Sequence, residues 1–244
     1  MRRIDFIARP VEDLRAADAW HGETLGLARN PHASGEQWVE YETGNLTLAL
    51  STFGGTLAFG VDDVEESRAR LEEAGVEFAG ETFDSGVCHG ANFTDPFGNG
   101  LQLHHRYAPL EPYETPAQEV ERTDFVGIPV TDRDRALEFY GGTLGLRRNE
   151  LAHPDWPELE PGPTILFTTP EQTGVEFRPG AYSVALRVGD VAASMERLRE
   201  QGVPFFAPEP FDSSVCHMGF FADADGNSFI LHRRYAPYGD GSTP

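Results

Sequence analysis

Both cysteines of the chain and five of its eight histidines fall in two stretches that are copies of one another. Residues 83–109 read FDSGVCHGANFTDPFGNGLQLHHRYAP and residues 211–237 read FDSSVCHMGFFADADGNSFILHRRYAP, identical at 16 of 27 positions without a gap. A thiol and an imidazole can ligate a transition metal, and an imidazole can carry a proton. Neighbouring Cys88 and His89, like Cys216 and His217, point to opposite faces of a strand, so a side-by-side pair cannot hold one ion. His104 and His232 stand two residues beyond Gln102 and Ile230 and share a face with them. Cys88 and Cys216 occupy equivalent places in the two copies, so no disulfide framework is implied and free thiols are expected.

Positioning these residues requires a hairpin. In each copy, alternating strands flank DPFGN (95–99) or DADGN (223–227), whose Asx and Gly residues suit a tight turn. The duplication starts earlier, since residues 3–27 match 122–146 at 12 of 25 positions. Each of these segments reads as a strand ending in Pro-Val, a helix capped by Asp13 or Asp132, and a Leu-Gly-Leu exit. WVEYETGNLTLALS predicts a hairpin turning at Gly44 and Asn45. TILFTTPEQTGVEF is its expected counterpart, turning near Pro170 to Gly174. Residues 149–163, rich in proline and acid, read as an inserted loop, whose Trp156 either plugs a local core or covers a pocket.

A second strand and helix follow in each half, with Asp63 (facing Glu66 in a capping-box pattern) and Asp190 as caps. Leu71 with Ala74, and Met195 with Leu198, are expected to face the core. The pattern predicts an α+β fold of four βαβββ units, paired into two curved, cup-shaped mixed sheets with helices outside. Residues 1–110 form the first domain, 111–121 an exposed Pro- and Glu-rich linker, and 122–240 the second domain.

With 40 acidic against 19 basic residues and a net charge of -21, nucleic acid and an anionic membrane surface are excluded as partners. A neutral or cationic ligand is easier to accommodate, although such acidity also suits a solvated surface or a salty cytoplasm. No apolar run has signal-peptide or membrane-spanning length, which predicts a cytoplasmic protein. Monomer and homodimer both remain open.

The start PVTDRDRALEFYGGTLGL, the central VDDV with its helix, and the DPFGN hairpin together resemble the glyoxalase, bleomycin-resistance and extradiol-dioxygenase superfamily across nearly the whole chain, in both halves. What the resemblance implies is fold first, because such families host many chemistries. Its metal enzymes use a His on the first strand, a His on the first strand of the second unit, and a Glu on the last strand. Counted from the neighbouring motifs, those places hold Phe6, Thr56 and Gln102 in one half and Phe125, Ser183 and Ile230 in the other. No metal and no cofactor are therefore expected. The family's hairpin pairing turns Cys88 and Cys216 inward, towards His104 and His232. An unconventional metal site from these pairs stands against a bland alternative, in which the thiols are small buried hydrophobes and the histidines bond neighbouring strands or a ligand. Arg106, Tyr107, Arg234 and Tyr235 are expected to seat each hairpin against the other half.

With the ligand places lost, each concave face becomes an aromatic wall with a few hydrogen-bonding groups, suited to a bulky aromatic or polycyclic ligand. Alternation sets Asn92 beside Gln102 and Phe220 beside Ile230, with Met218 further along; Trp38, Tyr41 and Phe167 are further candidates. Alternatively, Phe6 and Phe125 simply extend the core. Family logic assembles one pocket from Phe125, Thr56, Gln102, Asn92 and His104, and the other from Phe6, Ser183, Ile230, Phe220 and His232. Trp156 would close only one of them, leaving one or two sites per chain. The leading expectation is a metal-independent protein that sequesters an aromatic antibiotic or natural product and so confers resistance. Its rival is a glyoxalase-like lyase, isomerase or dioxygenase using an unconventional metal or a metal-free His acid–base site. A third reading is a protein-binding module with an exposed apolar patch.

Overall fold

Strand β1 (Arg3–Pro10) alternates apolar residues and is held on both sides by strands of its own half, running parallel to β4 (Thr47–Ser51) and antiparallel to β5 (Thr56–Gly60). The computed structural model describes Met1, residues 3–160 and residues 162–237. Pro161 of the inserted segment and residues 238–240 of the expected second domain lie outside the described residues.

The first sheet is completed by β2 (Ala28–Ser34), β3 (Trp38–Glu42), β6 (Phe83–Asp84), β7 (Cys88–Thr94) and β8 (Gly100–Arg106), in the order β2-β3-β4-β1-β5-β8-β7-β6. Its helices are α1 (Leu14–Ala19), which widens into a π-type turn over Trp20–Thr24, and α2 (Val64–Glu73). The second sheet comprises β9 (Arg122–Pro129), β10 (Glu158–Leu159), β11 (Thr164–Thr168), β12 (Ser183–Arg187), β13 (Phe211–Asp212), β14 (Cys216–Ala222) and β15 (Ser228–Arg234). Its order is β10-β11-β9-β12-β15-β14-β13. Its helices are α3 (Arg133–Leu137), extended by a similar wide turn over Glu138–Thr143, the short α4 (Pro170–Thr173) and α5 (Val191–Glu200). Two mixed sheets with their helices on one face realise the expected α+β architecture.

The four expected caps form: Asp13, Asp132, Asp63 and Asp190 each accept a backbone N–H of the first turn. Leu71, Met195 and Leu198 are buried against the sheets, whereas Ala74 ends α2 in solvent. Three local expectations need correction. TILFT does not open a hairpin; β11 pairs parallel with β9, as β4 does with β1, and the chain after it turns into α4. The partner of β11 is β10, which lies inside the segment read as a structureless insertion. The linker is not simply exposed either, since Val120 is buried and Gln118 bonds both Ala28 N–H and the Glu42 carbonyl.

The halves are joined reciprocally through their hairpin turns. Asp95 accepts the N–H groups of Phe97 and Asn99 at 2.8 Å each, which folds the turn. Asn99 Nδ2 donates to the Pro129 carbonyl at 2.8 Å, Asn99 Oδ1 accepts from Gly180 N–H at 2.8 Å, and Tyr140 donates to Asp95 at 2.9 Å. In the other direction, Asn227 donates to the Pro10 carbonyl at 3.0 Å and Glu12 N–H to Asp225 at 2.8 Å. The wide turns of α1 and α3 bring His21 and Tyr140 to the facing carboxylates, Asp223 and Asp95.

Asn99→Ala leaves a buried carbonyl and a buried N–H without their partner, so it should lower the unfolding free energy by about 2–4 kcal/mol in urea titrations. Asn227→Ala should cost less, because among the described residues its side chain makes no counterpart of the Gly180 bond. An Asn99→Ala effect within about 0.5 kcal/mol, the range of an ordinary surface change, would contradict this account of the junction.

Candidate functional site

The face of each sheet turned away from the helices carries the repeated chemistry. On the first sheet, Gly90 lies opposite His104, Asn92 opposite Gln102 and Cys88 opposite Arg106 in the antiparallel β7–β8 ladder. A register shift between Ile4 and Phe6 on β1 then has a decisive effect. Successive strand residues ordinarily face opposite ways, but a bulge turns both to one side. Asp5 and Phe6 both reach His104: the carboxylate meets His104 Nδ1 at 2.6 Å, and the Phe6 ring stands edge-on to the imidazole at 5.2 Å. Gly60 makes room for the carboxylate, since a Cβ there would lie 2.6 Å from Asp5 Oδ1.

Beyond Phe6 stands Trp38, edge-on at 5.5 Å, with its indole N–H donating to Glu40 at 2.8 Å. Trp38, Phe6 and His104 thus form a row of rings across β3, β1 and β8. Gln102 donates to Asn92 at 2.8 Å beside them, and Thr56 bonds the Gly100 carbonyl at 3.1 Å. On the other side of His104 lies the half-buried Cys88, whose Sγ is 3.0 Å from the Ser85 hydroxyl.

The second sheet repeats the pattern. Asp124, also at a register shift, meets His232 Nδ1 at 2.5 Å, and Phe125 stands edge-on to His232 at 5.3 Å. Cys216 is 3.0 Å from the Ser213 hydroxyl. Met218 lies opposite His232 and Phe220 opposite Ile230, while Arg187 binds Asp124 at 2.9 Å from the position that Gly60 occupies in the first half.

Electrostatics bind each set together. Burial pulls the His104 imidazole down, but its bonds with Asp5 and Cys88 lift it to about 9. Burial pushes Asp5 up, yet His104 and Arg3 hold it below the ordinary carboxylate range. The Cys88 thiol is raised by burial and lowered more by its bonds with His104 and Ser85, ending below its ordinary value. In the second half burial opposes, and Asp124 with Cys216 outweigh it, to raise His232.

Several sequence expectations change. Phe6 shares its face with His104, and Phe125 with His232, so the sites form within each half rather than across them, because β1 and β9 are built into their own sheets. Tyr41 and Phe167 are not on these faces. Tyr41 is buried against α1 and bonds Asp18, and Phe167 packs on Tyr140. Trp156, 45% exposed, lies over Arg133 at the start of α3 and is no lid for either site. Tyr107 and Tyr235 bond Asp84 and Asp212 of their own hairpins at 2.6 and 2.7 Å, rather than the other half. The cysteines are bonded members of a polar set, not inert hydrophobes. Asp5, Asp124, Ser85 and Ser213 escaped the sequence reading, although Asp-Phe at 5–6 and 124–125 repeats as faithfully as the hairpins.

Could the set hold a metal? Among the described residues no group of three His, Cys, Asp or Glu converges on one point. Asp5 and Cys88 both bond the His104 imidazole, Asp5 through Nδ1. A hollow of about 170 Å³ borders Asp5 and His104, lined also by Arg3, Gly60, Asp62 and Arg106. A larger one of about 450 Å³, between the start of α5 and β13–β14, contains none of the expected site residues.

A family model described as the Glyoxalase/Bleomycin resistance protein/Dioxygenase superfamily matches residues 3–103 and 122–231. No curated protein matches the sequence. Among solved structures, the Mn(II)-bound glyoxalase from Novosphingobium aromaticivorans is similar at a TM-score of 0.69 and 16% identity, over 94% of this chain and 81% of that one. A substrate complex of homoprotocatechuate 2,3-dioxygenase from Brevibacterium fuscum gives 0.69 and 18%, over 100% and 83%. A variant of 4-hydroxymandelate synthase from Streptomyces coelicolor gives 0.66 and 16%, over 99% and 95%. At these identities the likeness is one of fold.

His104 should titrate near pH 9 by NMR, and Asp5→Asn should bring its midpoint down. The folded value lies above the ordinary 6.5, so the pairing stabilises fully below about pH 6.5 and its contribution is lost as pH rises through about 9. A wild-type midpoint near 6.5 would refute the pairing.

Proposed function

The chain belongs to the Glyoxalase/Bleomycin resistance protein/Dioxygenase superfamily, and we propose that within it the protein binds a flat aromatic or polycyclic small molecule without a metal ion. The observation that carries this reading is the Trp38–Phe6–His104 row of rings, with Phe6 standing where the metal enzymes of the family place a first histidine. Aromatic edges and faces bind flat ligands through dispersion and quadrupole attraction. Gln102 and Asn92 add amide hydrogen bonds but no charge for a divalent ion.

The first half is the stronger site. Its row has three rings, whereas Phe125 and His232 stand alone with Phe220 some distance away, and Arg187 ties up Asp124. Glu40 and Glu42 on β3 extend the first face with carboxylates, which favours a neutral or cationic ligand over an anionic one. Hollows of about 170 Å³ are smaller than the enclosed pockets, roughly 300–1,000 Å³, that surround drug-sized ligands. The ligand therefore lies across the face, and its capture would protect a cytoplasm from an aromatic antibiotic or natural product. The Asp5–His104 pair favours one second reading, a metal-free acid–base enzyme of the same family.

Calorimetry with a panel of flat polycyclic compounds, beside elemental analysis, tests the proposal. Binding should weaken by about tenfold or more, about 1.4 kcal/mol, in Phe6→Ala and Trp38→Ala and change little in Phe125→Ala. Failure of every compound below about 100 micromolar, or stoichiometric metal whose removal abolishes turnover, would overturn it.

A further inference from the structure

Two of the most chemically loaded side chains, Cys88 and Asp5, play no part in stacking a flat ligand, and they flank His104 at the end of the row of rings. Cys88, His104 and Asp5 form a chain in which the carboxylate holds Nδ1 at 2.6 Å, the thiol bonds the imidazole from its diagonal place on the β7–β8 ladder, and Ser85 supports the sulfur at 3.0 Å. Burial in a plain hydrophobic core would raise a thiol and lower an imidazole; here both move the other way, Cys88 down and His104 up. The bond between the two groups contributes to both shifts, beside the Asp5 bond to His104 and the Ser85 bond to Cys88. Around the pair stand Asp5 and Arg3 of β1, Arg106 of β8, Tyr107 beyond it, and Asp62 on the rim of the adjoining hollow.

The two copies differ in access. Cys88 is half-buried, while Cys216 is 7% exposed. Opposite His104 stands Gly90, where the second half places Met218 opposite His232. A Cβ at position 90 would lie 2.4 Å from the Phe83 ring, so Phe83 covers the backbone opposite His104, and the difference in access rests on the exposure of the two cysteines themselves.

We infer that Cys88, His104 and Asp5 form a nucleophilic site that adds covalently to α,β-unsaturated carbonyl compounds lying against Phe6 and Trp38. The sulfur lone pair forms a bond to the β-carbon, and the π pair of the C=C bond moves to the α-carbon and carbonyl oxygen as an enolate. His104 Nε2–H then delivers its proton to the α-carbon, becoming neutral. No atom is lost and no oxidant or reductant is needed. His104 is the proton donor, Asp5 a positioning residue that fixes the ring through Nδ1, and Cys216 a slower counterpart. The choice of an aryl enone rests on the aromatic-binding reading; the nucleophile itself does not.

The test uses the full chain as Cys216→Ser, which leaves Cys88 alone, and as Cys88→Ser. Iodoacetamide, which needs no aromatic site, reports the thiol. Its pH–rate midpoint in Cys216→Ser should lie below the roughly 8.5 of a free cysteine and move up in Asp5→Asn and in His104→Gln. Chalcone, a flat aryl enone, should add to Cys216→Ser with a mass increase equal to the whole molecule, about tenfold faster than to Cys88→Ser, as accessibility and thiolate character dictate. An ordinary midpoint, or one unmoved by both substitutions, overturns the nucleophilic site even if chalcone binds reversibly. A lowered midpoint with chalcone no faster than the small enone cyclohexenone keeps the nucleophile and removes the aromatic reading.

Discussion

The hairpin turn Asp-x-x-Gly-Asn is the constraint on which both halves depend. A carboxylate that accepts two backbone N–H groups and one N–H of the following asparagine's amide fixes its own loop and aims the second amide N–H outward. That amide then meets the last carbonyl of the opening strand in the other half, at Pro129 or Pro10. A proline at that position lacks an N–H, so its carbonyl stands at the end of the sheet ladder ready for a partner from outside the sheet. The same motif therefore closes a hairpin and docks a half, which accounts for its presence in both copies better than any ligand role. Trp20 and Arg9 pack on Phe229 around it, and Tyr182 donates to the Gly100 carbonyl, yet the opening strands stay in their own sheets, so each site is built within one half.

Around this junction the two copies have diverged in polarity. Tyr140 satisfies Asp95 with a hydroxyl, whereas His21, fully buried, faces Asp223 at 4.0 Å and is pushed down to about 4 by its burial. Arg9, where the second half has Ile128, is buried beside them, with its guanidinium over Phe229 and one amino group on the Ser228 carbonyl. A neutral imidazole and a charged guanidinium can share the space because the Asp223 carboxylate balances the latter. One carboxylate thus meets a phenol hydroxyl and the other a buried guanidinium and imidazole, although the same motif builds both.

Much of the fold was legible in the sequence because it repeats. The caps at Asp13, Asp63, Asp132 and Asp190, the hairpins and the glycine exits are local features whose physics acts within a few residues. The strand pairings that failed, with TILFT taken for the start of a hairpin and β10 hidden in a proline-rich segment, depend on which distant strand lies alongside. No local signal records that choice. The site was legible on β7 and β8, where strict alternation holds, and placed Gln102, Asn92, His104 and Cys88 on one face. It was illegible on β1, where alternation puts Asp5 behind the sheet if Phe6 is in front. Only the bulge brings both forward, and a bulge leaves no mark in residue type beyond the repeated Asp-Phe pair.

That bulge changes what the site can do. A histidine beside phenylalanine alone is an apolar wall with an ordinary imidazole; the same histidine with a carboxylate on Nδ1 is held towards its charged form. A chelate needs three donors converging on a point, whereas this face carries a line of bonds in which Asp5 and Cys88 share one imidazole. In the second half the line is intact, but Arg187 competes for Asp124 and Met218 stands across from His232, so the same three residue types are held more firmly and reached less easily. Duplication supplied two equal frameworks, and a single position, Gly60 in one half and Arg187 in the other, decides whether the buried carboxylate carries one arginine or two.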